Sequence, residues 1–264
     1  SPDERQGPSG AMDDPVALDM PDWLWPIWTA DLGDSAAISA RCLQSRAPIA
    51  LRVNLRRGSR AAVQTSLAAE GIETQTVATA STALLVTQNG RRVRQSQAFT
   101  QGLCDLQDVS SQQAVAGLCV PAGARVLDYC AGGGGKALAL ADMHDATITA
   151  YDIAPERTVD IAPRAERAGV AIEVIRTHEL TSQAPFDVVF CDAPCSGSGT
   201  WRRTPEAKWS ISSDKLFKFS KLQGEVIQDA SRYVAAGGML IYATCSVLRS
   251  ENNDIVNMFL TRCP

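Results

Sequence analysis

The sequence predicts an α/β fold: a doubly wound, mostly parallel sheet preceded by a small α/β domain. Three observations predict it. From about residue 106, short apolar runs alternate with helical-period segments, the pattern of strand–helix–strand crossovers. One crossover opens on four consecutive glycines, Gly132–Gly135, between an apolar run and a helical one. Upstream, residues 21–105 alternate helix and strand periods over a length suited to a separate small domain.

The elements follow in order. Residues 1–20, beginning "SPDERQGPSGAMDDP", carry no charged-then-apolar leader pattern and read as a flexible tail. "MPDWLWPIWTADLG" reads as the start of an aromatic-rich helix, and "APIALRVNLRRGSRAAVQTSLAAEGIETQTV" as strand, turn, helix and strand. "NGRRVRQSQAF" carries a turn with Arg91, Arg92 and Arg94. The second domain, 106–264, starts with helical "LQDVSSQQAVAGLCV", for which Asp108 or Ser110 is the candidate cap. Strands are expected at "ARVLDYC", "ATITAYDI", "VAIEVIRT", "FDVVFCDAP" and "GGMLIYATCS". Helices are expected at "AGGGGKALALADM", at "PERTVDIAPRAERAG" from near Pro155 to near Gly169, and at the long "SDKLFKFSKLQGEVIQDASRYVA". There is no internal repeat and no long low-complexity tract.

Composition bounds the function. A chain of 264 residues, 45% hydrophobic and 20% charged, can bury a sizeable core. No stretch approaches the roughly 20 apolar residues of a membrane helix, so no membrane partner is expected. The eight cysteines are scattered through apolar segments, unlike a small disulfide scaffold, and are expected to be reduced in a cytoplasmic protein. A net charge of −4 argues mildly against a nucleic-acid binder, although such a binder needs only a local basic face. A monomer is expected.

The glycine loop is the first candidate site. Bare backbone lets a ligand approach closely, and the helix N-terminus behind it offers free N–H groups. Asp152 ends the next strand, 20 residues past Gly132, the spacing of an acid that binds a ribose diol. A phosphate loop of the GxxxxGK[ST] type fails, because Ala137 follows Lys136 and Cys130 takes the first glycine position. A dinucleotide fingerprint can be drawn through Gly132, Gly134 and Ala137, and S-adenosylmethionine uses the same crevice. The loop does not separate these two ligands.

The second candidate site lies in "FCDAPCS" and "YATCS", which end two strands on the ligand-binding edge of such a sheet. Cys195 and Cys245 can face each other there, and a thiol at an exposed strand end is a candidate nucleophile. Zinc is not expected, because the only histidines, His144 and His178, lack a Cys-x-x-Cys context. The loop of cysteine phosphatases needs a shorter spacing than that from Cys195 to Arg202. Cys42, Cys104, Cys119, Cys191 and Cys263 are expected to be packing residues.

"DYCAGGGGK", "DAPCSGSGTWRRTPEAKW" and "GGMLIYATCSVLRSENN" resemble the RNA (cytosine-5) methyltransferases of the Sun/NOP family, in particular its bacterial members acting on small-subunit ribosomal RNA. "APIALRVNLRR" and "LQDVSSQQ" resemble the upstream motifs, so the likeness runs over roughly residues 21–262. It implies a Rossmann-like S-adenosylmethionine methyltransferase fold behind a small RNA-binding domain. It also implies methylation of carbon 5 of a cytosine in RNA through a cysteine adduct at carbon 6, releasing S-adenosylhomocysteine. It assigns the nucleophile to Cys245, resolution of the adduct to Cys195, contact with the base to Asp192, and support of the developing charge to Lys136. Cofactor contacts carry over to Cys130, Ala131, Gly132, Gly133, Gly134, Gly135, Lys136, Asp152, Arg157, His178, Asp192 and Pro194. The family carries a proline in the glycine loop, where this chain has Gly132-Gly133, and an aspartate near the adenine, where this chain has His178 beside Glu179. It also has an N-terminal helical RNA-binding domain and a further strand pair beyond a helix like "ENNDIVNMFL", so the chain reads as truncated.

Basic residues fit an RNA partner. Arg202, Arg203 and Lys208 flank the cysteine turn with Trp201 and Trp209 among them, and Arg52, Arg56, Arg57 and Arg60 lie in the small domain. Guanidiniums bind phosphate and indoles stack on bases. The alternative for each is a solvated surface, and for Trp209 a core anchor. An alternative function is a cofactor-binding RNA scaffold without methylation.

Overall fold

The computed structural model describes residues 14–263. The helices are α1 (Trp25–Leu32), α2 (Ala36–Gln44), α3 (Arg60–Ala69), α4 (Gln97–Thr100), α5 (Val109–Ala116), α6 (Gly135–Met143), α7 (Ile161–Ala168), α8 (Leu180–Gln183), α9 (Ala207–Ser210), α10 (Ser213–Ser231) and α11 (Asn253–Arg262). The strands are β1 (Ile49–Val53), β2 (Thr74–Val77), β3 (Ala80–Val86), β4 (Cys104–Leu106), β5 (Ala124–Asp128), β6 (Ala146–Ala150), β7 (Ile172–Val174), β8 (Phe186–Asp192) and β9 (Val234–Ala243). Packing divides the chain into two compact units. No helix among the described residues is long and apolar enough to cross a membrane.

One unit holds Pro48–Asp192 and Asp229–Tyr242, and with them both sheets. The smaller sheet is antiparallel, in the order β2-β3-β1-β4. Central β1 pairs Leu51 with Leu84 of β3 and with Leu106 of β4, which explains why "IALRV" is buried almost throughout. Helix α3 starts where the Ser59 hydroxyl accepts the Ala62 N–H at 3.1 Å, and lays Val63 and Leu67 on this sheet's core.

The larger sheet has the order β7-β6-β5-β8-β9, with parallel ladders between β5 and β6, β5 and β8, and β6 and β7. Strand β8 is buried at Phe186 and from Val188 to Cys191, the near-continuous apolar run of a strand covered on both faces. Strand order reverses at β5, whose neighbours β6 and β8 lie on opposite sides. A doubly wound sheet opens its crevice at the carboxyl end of such a strand. The glycine loop follows β5 and Asp152 follows β6, so the predicted ligand loop stands at the reversal.

The segment "PERTVDIAPRAERAG" is not one helix. It splits into a 3-10 turn, Pro155–Thr158, and α7. Pro163 is the cause: it has no N–H to donate, and its ring would clash with the Val159 carbonyl in a continuous helix. Restarting at Ile161 places Pro163 in the first turn, where both problems vanish. Gly169, at φ 70°, ends α7. Strands β3 and β4 and helix α2 were not read from the pattern.

The second unit comprises residues up to Ala47, Ala193–Gln228 and Ala243 onward. Its core joins Leu18, Met20, Leu24 and Trp28 to Trp201, Ile211, Leu216 and Leu248. The Trp28 and Trp201 rings stack with centroids 6.0 Å apart. The tail expected over residues 1–20 lies outside the described residues as far as residue 13. From there the expectation is corrected: Leu18 and Met20 are core residues, and Asp19 pairs with Lys208. Trp201→Ala should cost about 3–5 kcal/mol, read from the urea midpoint, because it empties a core position that is 1% exposed. Trp209→Ala, at a site 57% exposed, should change stability by less than about 0.5 kcal/mol.

Candidate functional site

The glycine loop is held by its neighbours on every side. Ala131 donates its N–H to Tyr151 O at 2.9 Å, and Gly134 donates to Ala131 O at 2.8 Å. Gly134 caps α6 in the left-handed region, at φ 77°, and a Cβ there would stand 2.7 Å from Ile161 Cγ1, so no other residue fits. Asp152, 4% exposed, accepts the Gly132 N–H at 2.9 Å and the Ala154 N–H at 3.0 Å. The largely exposed Arg157 guanidinium lies 3.3 Å from the same carboxylate. The Arg164 guanidinium, paired with Asp105 at 2.9 Å, donates to Gly133 O, and Gln107 Nε2 donates to Gly135 O at 2.9 Å.

Acids gather beside this loop. Lys136 and Asp192 form a partly exposed ion pair. Asp128, the last residue of β5, is fully buried, and neither of its oxygens makes a well-formed hydrogen bond among the described residues. Its pKa is pushed up to about 7, first by burial and then by the Asp192 charge, while Lys136 and the Ala137 N–H pull the other way. Sequence reasoning missed Asp128, although an acid closing an apolar strand directly before a glycine loop is a legible signal. Three carboxylates with one lysine make an acidic setting that suits a ligand with cationic centres. A Cβ at Gly135 would meet nothing within 4 Å, which leaves room against the α6 N-terminus. These features fit S-adenosylmethionine, whose sulfonium and ammonium carry positive charge.

The two thiols are described within the other unit. Cys195 and Cys245 are brought together, Sγ to Sγ at 3.2 Å, with no disulfide between them. The approach depends on Gly199, which donates its N–H to Cys245 O at 2.9 Å; a Cβ there would come within 2.9 Å of that oxygen. The Cys195 pKa is pushed up, first by its hydrogen bond to the Cys245 sulfur and then by burial. Cys245 is the more exposed of the two.

The remaining predicted residues divide. Pro194 O accepts Gln223 Nε2 at 2.9 Å. Ala131 is buried, Cys130 is half-buried, and His178 sits in an exposed turn whose Thr177 hydroxyl meets the Tyr151 hydroxyl at 3.2 Å. Burial corrects two of the RNA expectations. Arg52 is 2% exposed and paired with Asp142, its pKa held down to about 10 mainly by burial, and its Nε donates to Gln107 at 2.7 Å. Lys208 is 1% exposed and paired with Asp19. Neither side chain is presented to a phosphate. Arg56 is exposed, but Nε donates to Asp142 O at 3.1 Å and Nη2 to His144 O at 2.7 Å. Arg203 is exposed, and partly exposed Arg202 donates Nε to Ser45 O at 3.1 Å. Trp201 is core and Trp209 is exposed. Cys104 and Cys191 are buried as expected, whereas Cys42 and Cys119 are exposed, which corrects their reading as packing residues.

Sheet order, glycine loop and strand-end acids define a Rossmann-like methyltransferase fold. Residues 118–264 match the family model of 16S rRNA methyltransferase RsmB/F, and residues 20–93 match the ferredoxin-like domain of RsmF/B-like methyltransferases. The chain belongs to this RsmB/F family. It is 34% identical over 252 residues to ribosomal RNA small subunit methyltransferase B of Xylella fastidiosa, covering 91% of this chain and 58% of that protein. It is 33% identical over 275 residues to the protein of the same name from Xanthomonas campestris, covering 98% of this chain and 60% of that protein. The chain thus spans about three-fifths of the length of these relatives. A crystal structure of a methyltransferase homolog protein from Pyrococcus horikoshii superposes with a TM-score of 0.79 at 26% identity, covering 95% of this chain and 81% of that one.

Asp128 makes stability depend on pH. Its folded pKa of about 7 lies above the ordinary 3.8, so folding favours the protonated form. That contribution is fully present below about pH 4 and is lost as pH rises to about 7. Asp128→Asn should flatten the fall in urea midpoint across this window, a difference of up to a few kcal/mol at its upper end. Parallel pH profiles for the two proteins would refute it.

Proposed function

We propose that this chain methylates carbon 5 of a cytosine in RNA, ribosomal RNA on the strength of its family, with S-adenosylmethionine as cofactor. The observation that carries the reading is the contact of two thiols, Cys195 and Cys245, in loops that end neighbouring strands. When bound, S-adenosylmethionine supplies an electrophilic methyl group on a sulfonium. Gly132–Gly135 and the α6 N-terminus would hold it, with Asp152 on the ribose.

Carbon 5 of cytosine is too electron-poor to take the methyl unaided. Cys245, as thiolate, adds to carbon 6, and the displaced electron pair moves toward ring nitrogen 3. Asp192 holds nitrogen 3 and the exocyclic amino group and delivers a proton drawn from the Lys136 ammonium in contact with it. The resulting enamine places the electron pair on carbon 5, which forms the new bond to the methyl. Cys195, its own proton passed to solvent, takes the carbon 5 proton as the carbon 6–sulfur bond breaks, which restores the ring double bond and releases Cys245 as thiolate, and nitrogen 3 returns its proton to Asp192. Asp192 and Cys195 stand three positions apart because both act on one base, which must leave its stack to be reached. Exposed Arg203 and Trp209 are the RNA contacts this reading retains near the cysteine turn.

Two measurements test it. Asp152→Ala should weaken S-adenosylhomocysteine binding by about 1–3 kcal/mol in calorimetry, the loss of charged hydrogen bonds; equal affinities would refute the ribose assignment. Cys195→Ala, mixed with substrate RNA and cofactor, should form a protein–RNA band that survives denaturation, and Cys245→Ala should not. The opposite pattern would exchange the two roles. Methylation unaffected by either change would end the covalent reading, and cofactor binding with no methylation of any RNA would favour the scaffold.

A further inference from the structure

Behind the two thiols lies a charged group that the mechanism does not use. Glu251 is fully buried. Its Oε1 accepts the Ser196 N–H at 2.8 Å and Gln223 Nε2 at 3.1 Å. Its Oε2 accepts the hydroxyls of Ser196 and Ser246, each at 2.5 Å. Ser196 directly follows Cys195, and Ser246 directly follows Cys245. One carboxylate therefore grips the residue after each thiol. Gln223 extends the grip, donating also to the carbonyl of Pro194, the residue before Cys195. Around this centre Ser198 and Ser246 hydroxyls meet at 2.8 Å, and the Val247 N–H reaches Ser198 Oγ at 2.9 Å.

We infer that Glu251 is the positioning residue of the thiol pair: it ties the Cys195 loop to the Cys245 loop and thereby sets the sulfur–sulfur contact. A buried carboxylate is costly unless donors surround it, so an acid at this place demands that both loops bring their donors to it. Exchanging it for an amide puts an N–H₂ against donors that an oxygen had accepted, and the two loops lose one of their shared anchors. The effect on turnover rests on the covalent reading above; the effect on thiol proximity does not.

Disulfide trapping tests it. Diamide takes two electrons and two protons from a pair of thiols as the S–S bond forms, at a rate that reports how closely and how often they meet. In the unaltered chain, peptide mapping by mass spectrometry should find the Cys195–Cys245 link forming before any other cysteine pair. Glu251→Gln should slow that link by at least about tenfold, with far-UV circular dichroism and S-adenosylhomocysteine affinity unchanged. A folded Glu251→Gln protein that links at the original rate would overturn the inference. Should this variant not fold, the Ser196→Ala/Ser246→Ala variant, which keeps the acid and removes two donors, decides on the same readout: slowed linking upholds the inference and unchanged linking overturns it. Slowed linking with undiminished methyl transfer upholds the positioning role and counts against covalent catalysis instead.

Discussion

A carboxylate taken out of water needs hydrogen-bond donors or a proton, and the loops of this protein are arranged around that demand. Asp152 meets it with the backbone N–H groups of Gly132 and Ala154, so the acid shapes the glycine loop as the loop shelters the acid. Glu251 meets it with serine, glutamine and backbone donors and draws two loops together in doing so. Among the described residues Asp128 finds no donor of good geometry, and it keeps a proton to about neutral pH instead. Acids of similar chemistry are therefore accommodated in different ways, decided by what each burial site offers.

The thiols obey the same logic with weaker partners. A sulfur accepts a hydrogen bond poorly, yet the Cys195–Cys245 contact, with burial, is enough to push the Cys195 pKa up. The loops that carry the sulfurs approach closely because Gly199 has no side chain to keep them apart.

Cations show how far burial can redirect a residue. Arg52 lies in "LRVNLRR" and Lys208 in "PEAKW", both stretches that read as basic surface. Each instead pairs with an acid far away in the chain, Asp142 and Asp19. A long aliphatic stem lets such a side chain cross an apolar layer to reach its partner. Arg203 and Trp209, only a few residues from Lys208, stay exposed.

Much of the fold and part of the site were legible in the sequence. Hydrophobic period, glycine and proline are local properties, so β5, α6, β6, β8 and α10 could be read from short windows, as could the glycine loop and the acid that follows it. The meeting of Cys195 with Cys245 was legible because both residues follow strands that end on one edge of a doubly wound sheet. The break at Pro163 was legible in principle. What the sequence alone could not decide was burial and partnership. That α1 joins a core with Trp201, that Arg52 and Lys208 turn inward, that Asp128 is left without good donors and that Glu251 lies behind both thiols all depend on residues tens to hundreds of positions apart. Only the tertiary structure brings those residues together, and the free energy of a charge or a thiol is set by its neighbours in space.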